Sequence, residues 1–149
     1  MTPAIRRASL DDIDWLLGQL QDFAAVYGTK RSLFPTGEHA RAGVKMLVEN
    51  HLVLVAQDLE AGNVGFIAGY VLAHPYNPAL RILQEAFWWV APEHRGTRAG
   101  LLLLEEFVAW GRENVDWVTC AIEAESPIDE RCLTKRGFRL HERSYLLEV

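Results

Sequence analysis

Apolar residues along this chain repeat first at helical spacing, then at strand spacing, and then in a mixture of the two. A short extended segment at residues 4–7 leads to Ser9, an N-cap residue. Asp12 stands three positions on, where a capping box carries its acid, and Asp11 lies at the positive end of the first turn. Ile13, Leu16, Leu17, Leu20 and Ala24 then share one face, which predicts an amphipathic helix ending near Gly28. A second helix is expected after Thr36, with Ala40, Val44, Leu47 and Val48 on its apolar face.

The period then changes. Residues 51–57 and 64–73 are β-branched and apolar and are joined by turn-forming residues, the signature of a hairpin. Their near-continuous apolarity predicts strands covered on both faces. Prolines at 75 and 78 set a loop, and residues 82–90 form a third long strand halted at Ala91-Pro92. The pattern continues with a helix over 97–114, a strand over 117–124 and a short helix over 128–136 stopped by Gly137. Residues 138–140 and 145–149 read as a closing hairpin. No repeat or linker divides the chain, so residues 1–149 are expected to be one domain with a mixed sheet flanked by helices.

Composition narrows the functional classes. The formal net charge is -5, from 15 basic and 20 acidic side chains, which argues against nonspecific binding to nucleic acid or an anionic membrane. No apolar run approaches the roughly 18 residues of a membrane span, and residues 1–7 lack the core of a signal peptide. Two cysteines, Cys120 and Cys132, make neither a disulfide scaffold nor a CxxC pair. The five histidines show no metal-ligand spacing, so no metal is expected. A cytoplasmic protein is the expectation.

One segment carries candidate chemistry. Residues 88–100 run from a strand through a tight turn into a helix, a junction that presents free backbone N–H groups and a helix dipole to one point. Gly96 and Gly100 admit a close ligand, and Arg95 and Arg98 add cationic donors. Together they suit a diphosphate. A plain surface turn is the alternative reading of the same spacing.

The segment resembles motif A of the GNAT superfamily of N-acetyltransferases, Arg/Gln-x-x-Gly-x-Gly/Ala. Arg95 matches the first position and Gly100 the last, while Arg98 stands where the family has its middle glycine. Thr134-Lys-Arg-Gly-Phe138 is similar to the family's Glu-Lys-x-Gly-Phe ending, and the element order resembles the GNAT order over the whole chain. The resemblance implies an α+β fold with a mostly antiparallel sheet of about seven strands. It implies transfer of an acetyl group from acetyl-CoA (coenzyme A) to a primary amine, on a small molecule or peptide, by direct attack in a ternary complex. In such folds the fourth and fifth strands part, and the pantetheine arm pairs with exposed backbone, here that of Trp88, Trp89 and Val90. The amides of Gly96, Thr97, Arg98, Ala99 and Gly100 would hold the pyrophosphate, and Ser126 would hydrogen-bond the cofactor.

Acetyl transfer needs an amine freed of its proton and a proton returned to the leaving thiolate. Glu85 is the candidate base, an acid in an apolar strand, with Phe87 and Trp89 expected on its face by period two. The family's acid is a tyrosine at the position of Leu133, so the acid here is Tyr145, Tyr76 or solvent. Glu123 and Glu125 favour a cationic acceptor, and the loops at 28–36 and 74–81 are expected to shape its pocket. The departures at Arg98 and Leu133 keep a non-catalytic acyl-CoA-binding protein as the alternative, and a homodimer stays open.

Overall fold

The computed structural model describes residues 2–27 and 37–149. Strands β1 (Ala4–Arg7), β2 (Leu52–Asp58), β3 (Gly62–His74), β4 (Asn77–Val90) and β5 (Trp117–Thr119) form one sheet in that order. The first four are antiparallel neighbours and β5 joins β4 in parallel, so the sheet is mixed and mostly antiparallel. Helices α1 (Ile13–Tyr27) and α2 (Glu38–Asn50) cover one face and α3 (Ala99–Asn114) the other, with α4 (Arg131–Thr134) following β5.

Both faces of the central strands are dry, which explains their unbroken apolar sequence. Leu52 and Leu54 of β2 pack with Ile67, Leu83, Leu103, Leu104 and Phe107 on the α3 side. The intervening Val53 and Val55 pack with Phe66, Trp89, Leu16, Leu20, Val44 and Leu47 on the other. Each such side chain contributes about 1.5–3 kcal/mol by leaving water.

The capping acid does a second task. The Ser9 amide donates to the Asp12 carboxylate at 2.8 Å, closing the turn that opens α1. The same carboxylate takes two Arg6 hydrogen bonds of 2.8 Å and one from Asn63 at 3.0 Å. This knot ties β1, the helix entry and β3 together. The Arg6 guanidinium above all holds the Asp12 carboxyl well below the usual carboxylate range.

The observed elements depart from the sequence reading in four places, one of them β5, which ends at Thr119 and not near 124. β4 begins at Asn77 and not near 82, because Pro75 and Tyr76 alone make the turn. Pro78 then falls where the register with β3 slips, and its missing N–H costs no regular ladder bond. α4 spans only Arg131–Thr134, although Gly137 at φ 90° stops this turn as expected. The closing hairpin is absent, and the described residues hold five strands and not about seven. β5 ends at Thr119 and offers 138–140 and 145–149 no ladder to join. Arg139, His141, Glu142 and Arg143 run through the same exposed stretch. Among the described residues no helix is long and apolar enough to cross a membrane.

Candidate active site

The site begins where two strands part. β5 pairs with β4 at Ile82↔Trp117, Leu83↔Val118 and Gln84↔Thr119, and there the ladder stops. The Ala121 amide donates instead to Glu85 Oε2 at 3.2 Å. β4 continues to Val90 with its outer edge open.

A bulge sets the direction of Glu85. The β3–β4 register steps from Ala68↔Phe87 to Gly69↔Glu85, leaving Ala86 without a partner. The extra residue reverses the alternation. Glu85 therefore shares the face of Leu83 and Trp88 beneath α3, while Phe87 and Trp89 pack toward α1 and α2. The expected grouping of Glu85 with Phe87 and Trp89 is corrected by this one residue.

Glu85 is 9% exposed. Burial pushes its carboxyl up to about 7; the Ala121 amide and the Cys120 thiol oppose the shift, and Glu123 adds to it. The Cys120 thiol lies 3.9 Å from Glu85 Oε2. Its burial, and then that carboxyl, hold its own proton on, so it is no nucleophile.

Beside the open edge lies a cleft of about 630 Å³. Trp88, Trp89 and Val90 form one wall, the turn at Arg95, Gly96, Thr97 and Gly100 forms the end, and Ser126 to Arg136 supply much of the other wall. Glu85 and Tyr145 are not in these walls; Tyr145 is 89% exposed in the C-terminal segment. The structure does not bring that tyrosine to Glu85.

The turn is built to leave donors open. Gly96 sits at φ 83°, a left-handed conformation that a side chain would strain. Arg98 has φ −79° and ψ −2° as the N-cap of α3, so its side chain costs no strain, and it is exposed and outside the cleft. The amides of Gly96, Thr97, Arg98 and Gly100 meet no protein acceptor among the described residues. The Ala99 amide differs, since Thr97 Oγ1 accepts from it at 3.3 Å. A Cβ at Gly100 would meet protein no closer than 3.6 Å, so the bare backbone there leaves room in the cleft and relieves no protein clash.

Two further assignments change. Arg95 donates through Nε to the Val90 carbonyl at 3.0 Å, and its guanidinium lies 4.4 Å from the centre of the Trp89 ring. It braces the strand end, and the Val90 carbonyl is already engaged. The Trp88 indole donates to the Gly100 carbonyl at 3.1 Å, locking the strand to the helix entry. Ser126 lines the wall, its hydroxyl accepting from the Ile128 amide at 3.3 Å.

The sequence reading missed Tyr27 and the cations at and just after α4. Tyr27 lines the cleft and also an adjoining hollow of about 230 Å³ bounded by Val26, Glu123, Ala124 and Glu125. Arg131, Lys135 and Arg136 line the cleft from the α4 side. The run of basic residues around the Gly-Phe ending was the signal for the second group; nothing in the helical pattern marked the first. Residues 28–36 lie outside the described residues, and 74–81 form the far tip of the β3–β4 hairpin, away from both hollows.

The model of the acetyltransferase (GNAT) family matches residues 18–138. The chain belongs to that family. Solved structures agree in fold. A probable acetyltransferase superposes with a TM-score of 0.78 at 19% identity, covering 98% of this chain and 97% of that one. A transcriptional regulator from Bacillus halodurans C-125 gives 0.79 at 16% identity, with 99% of each chain covered. A ribosomal-protein-alanine N-acetyltransferase from Brucella melitensis biovar Abortus 2308 gives 0.75 at 19% identity over 100% of both. No curated protein matches the sequence. In this GNAT chain the strand parting, the open amides and the buried acid fall within one region.

Proposed function

We propose that this GNAT protein is an N-acetyltransferase, a single domain working in the cytoplasm, that moves the acetyl group of acetyl-CoA to a primary amine. The observation that carries the reading is the row of unengaged amides at Gly96, Thr97, Arg98 and Gly100, at the head of a cleft opened by the parting of β4 and β5. N–H groups converging at a helix start suit a diphosphate, and Gly100 leaves the approach clear. The free edge of β4 at Trp88 and Trp89 offers main-chain partners for the amides of a pantetheine arm.

The amine nitrogen attacks the thioester carbonyl carbon, a C–N bond forms, and the C–S bond breaks with release of the thiolate. The ammonium proton must leave first, and the nitrogen gives up a second proton, to solvent, as the amide forms. Glu85 is the proposed base, acting through water because it lies behind the cleft wall. A carboxyl that titrates near 7 is matched to that task. Glu123 raises the Glu85 value and lines the smaller hollow, which links that hollow electrostatically to the base. The hollow is the proposed seat of a cationic acceptor. The thiolate takes its proton from solvent, since Tyr145 is remote and Leu133 has none to give.

The test is coenzyme A release across a panel of amines, with the Glu85→Gln variant alongside. Turnover that falls about 100-fold in the variant, with loss of an activity limb near pH 7, supports the base. Unchanged turnover and an unchanged pH profile overturn it. One observation favours a second reading, an acyl-CoA-binding protein without turnover: neither Glu85 nor Tyr145 reaches the cleft wall. Acetylation of any amine in the panel overturns that reading.

A further inference from the structure

Exposed apolar side chains gather in one stretch of this protein. Leu140, Tyr145, Leu146, Leu147 and Val149 are each at least 72% exposed, and they belong to one segment, residues 139–149, in which every position faces solvent. By contrast Leu10, Val26, Met46, Leu59 and Leu101 each lie on a separate segment. The segment touches the body of the molecule through His141, whose ring meets Trp117 of β5 edge-on at 5.7 Å between centres. Trp117 in turn meets His74 at 5.3 Å, and His74 meets Tyr76 at the hairpin tip. Tyr76 and Trp117 are themselves exposed, so their rings extend the apolar surface.

The segment has the sequence of a strand and none of a strand's bonds. Tyr145, Leu147 and Val149 alternate with Ser144, Leu146 and Glu148, so one face would be wholly apolar. Yet beyond the Phe138 amide, which donates to the Leu133 carbonyl, no main-chain hydrogen bond ties residues 139–147 to the other described residues. A row of open N–H and C=O groups beside apolar side chains is a template for another strand.

Area, charge and symmetry favour a second copy of this chain as that strand. The five side chains expose on the order of 600 Å² of apolar surface, at the top of what a monomer leaves in one patch. With the two rings the patch reaches the roughly 800 Å² per partner that a stable interface buries. The segment holds two arginines, Arg139 and Arg143, and two glutamates, Glu142 and Glu148, so it is neutral within a chain of net charge -5 and does not repel its twin. The same balance gives an anionic membrane no hold. An arm that pairs antiparallel with its own copy gives and takes the same bonds, so the contact closes on a two-fold axis. We propose that residues 139–149 are a dimerisation arm, pairing antiparallel with the same arm of a second copy, with Trp117 and Tyr76 at the margin of the contact.

The experiment is sedimentation equilibrium of the full chain, from about 1 μM to about 100 μM, for the wild type and for Tyr145→Glu, Leu147→Glu and Met46→Glu. Positions 145 and 147 face solvent in one copy, so a charge there spares its fold, which circular dichroism checks. Met46 is an exposed apolar residue of α2 and serves as the control. The wild type should be a dimer at the upper end of the range, and each arm variant should raise the dissociation constant about 100-fold, while Met46→Glu leaves it unchanged. A wild type that stays monomeric throughout overturns the proposal and gives the arm to another partner. A dimer that either arm variant leaves intact, or that Met46→Glu dissolves as well, overturns the assignment to the arm. Growth beyond the dimer with rising concentration overturns the two-fold closure.

Discussion

Replacing Glu85 by Gln should change how stability depends on pH, and the size of the change follows from the position of the carboxyl. Buried beneath α3 at the parting of β4 and β5, it keeps its proton up to about 7 against an ordinary value of 4.5. Below pH 4.5 the folded and unfolded chains both carry that proton, and its stabilising effect is fully present. Between pH 4.5 and 7 the unfolded chain ionises while the folded one does not, so stability falls as pH rises. Above 7 the loss is complete. At about 1.4 kcal/mol per tenfold in proton affinity, the change is on the order of 3 kcal/mol. Glutamine keeps the volume and can still accept the Ala121 N–H, but it does not titrate. The free-energy difference between wild type and Glu85→Gln, from urea unfolding at intervals between pH 4.5 and 8, should therefore move by about 3 kcal/mol in favour of the variant. A difference that stays flat across this range would refute the placement of Glu85 in a low-dielectric site.

Other perturbations follow from the same geometry. Gly100→Ala should leave unfolding unchanged, since its methyl meets only ordinary contacts, yet weaken coenzyme A binding about tenfold in a titration; Gly96→Ala should show the reverse emphasis, losing roughly 1 kcal/mol of stability at its left-handed φ. Asp12→Asn breaks the knot with Arg6 and should cost about 2 kcal/mol at pH 7 by denaturant unfolding. The Asp12 carboxyl is held low, so its contribution is present above its ordinary 3.8 and is lost as pH falls through the depressed value; the gap to Asp12→Asn should close in strong acid. Phe107→Ala empties a fully buried position between α3 and the sheet and should cost about 3–5 kcal/mol, measured the same way.

Periodicity reported the elements that bury a stripe or a face, and it failed where structure depends on a single backbone choice. α1, α2, α3 and the β2–β3 hairpin were legible because their apolar residues meet a core at a fixed spacing. The bulge at Ala86 was not, because alanine fits either face and nothing local marks an unpaired residue. That residue moved Glu85 from one face of the sheet to the other. The C-terminal hairpin was over-read for a related reason. Leu140, Tyr145, Leu146, Leu147 and Val149 are apolar enough for a strand, but a strand needs a ladder partner, and β5 stops at Thr119. The cradle was legible as a strand–turn–helix junction with glycines. Which of its amides stay open was decided by Thr97 Oγ1 and by the phi angles, neither of which spacing reveals.

Arg98 shows how a motif position and a physical requirement come apart. In the sequence it replaces a glycine, and the replacement matters only if the backbone needs a positive φ there or if a side chain would obstruct the cleft. Neither holds: the backbone is right-handed, and the side chain is outside. The left-handed residue is Gly96, two positions earlier, and the residue whose bareness opens the cleft is Gly100. The turn thus separates two functions of glycine, conformation at one end and clearance at the other, and leaves position 98 free to carry any side chain that starts a helix. Its amide takes part whatever that side chain is, since a main-chain N–H at the start of α3 points along the helix axis regardless of residue type. A site that recognises its ligand through backbone donors tolerates this substitution.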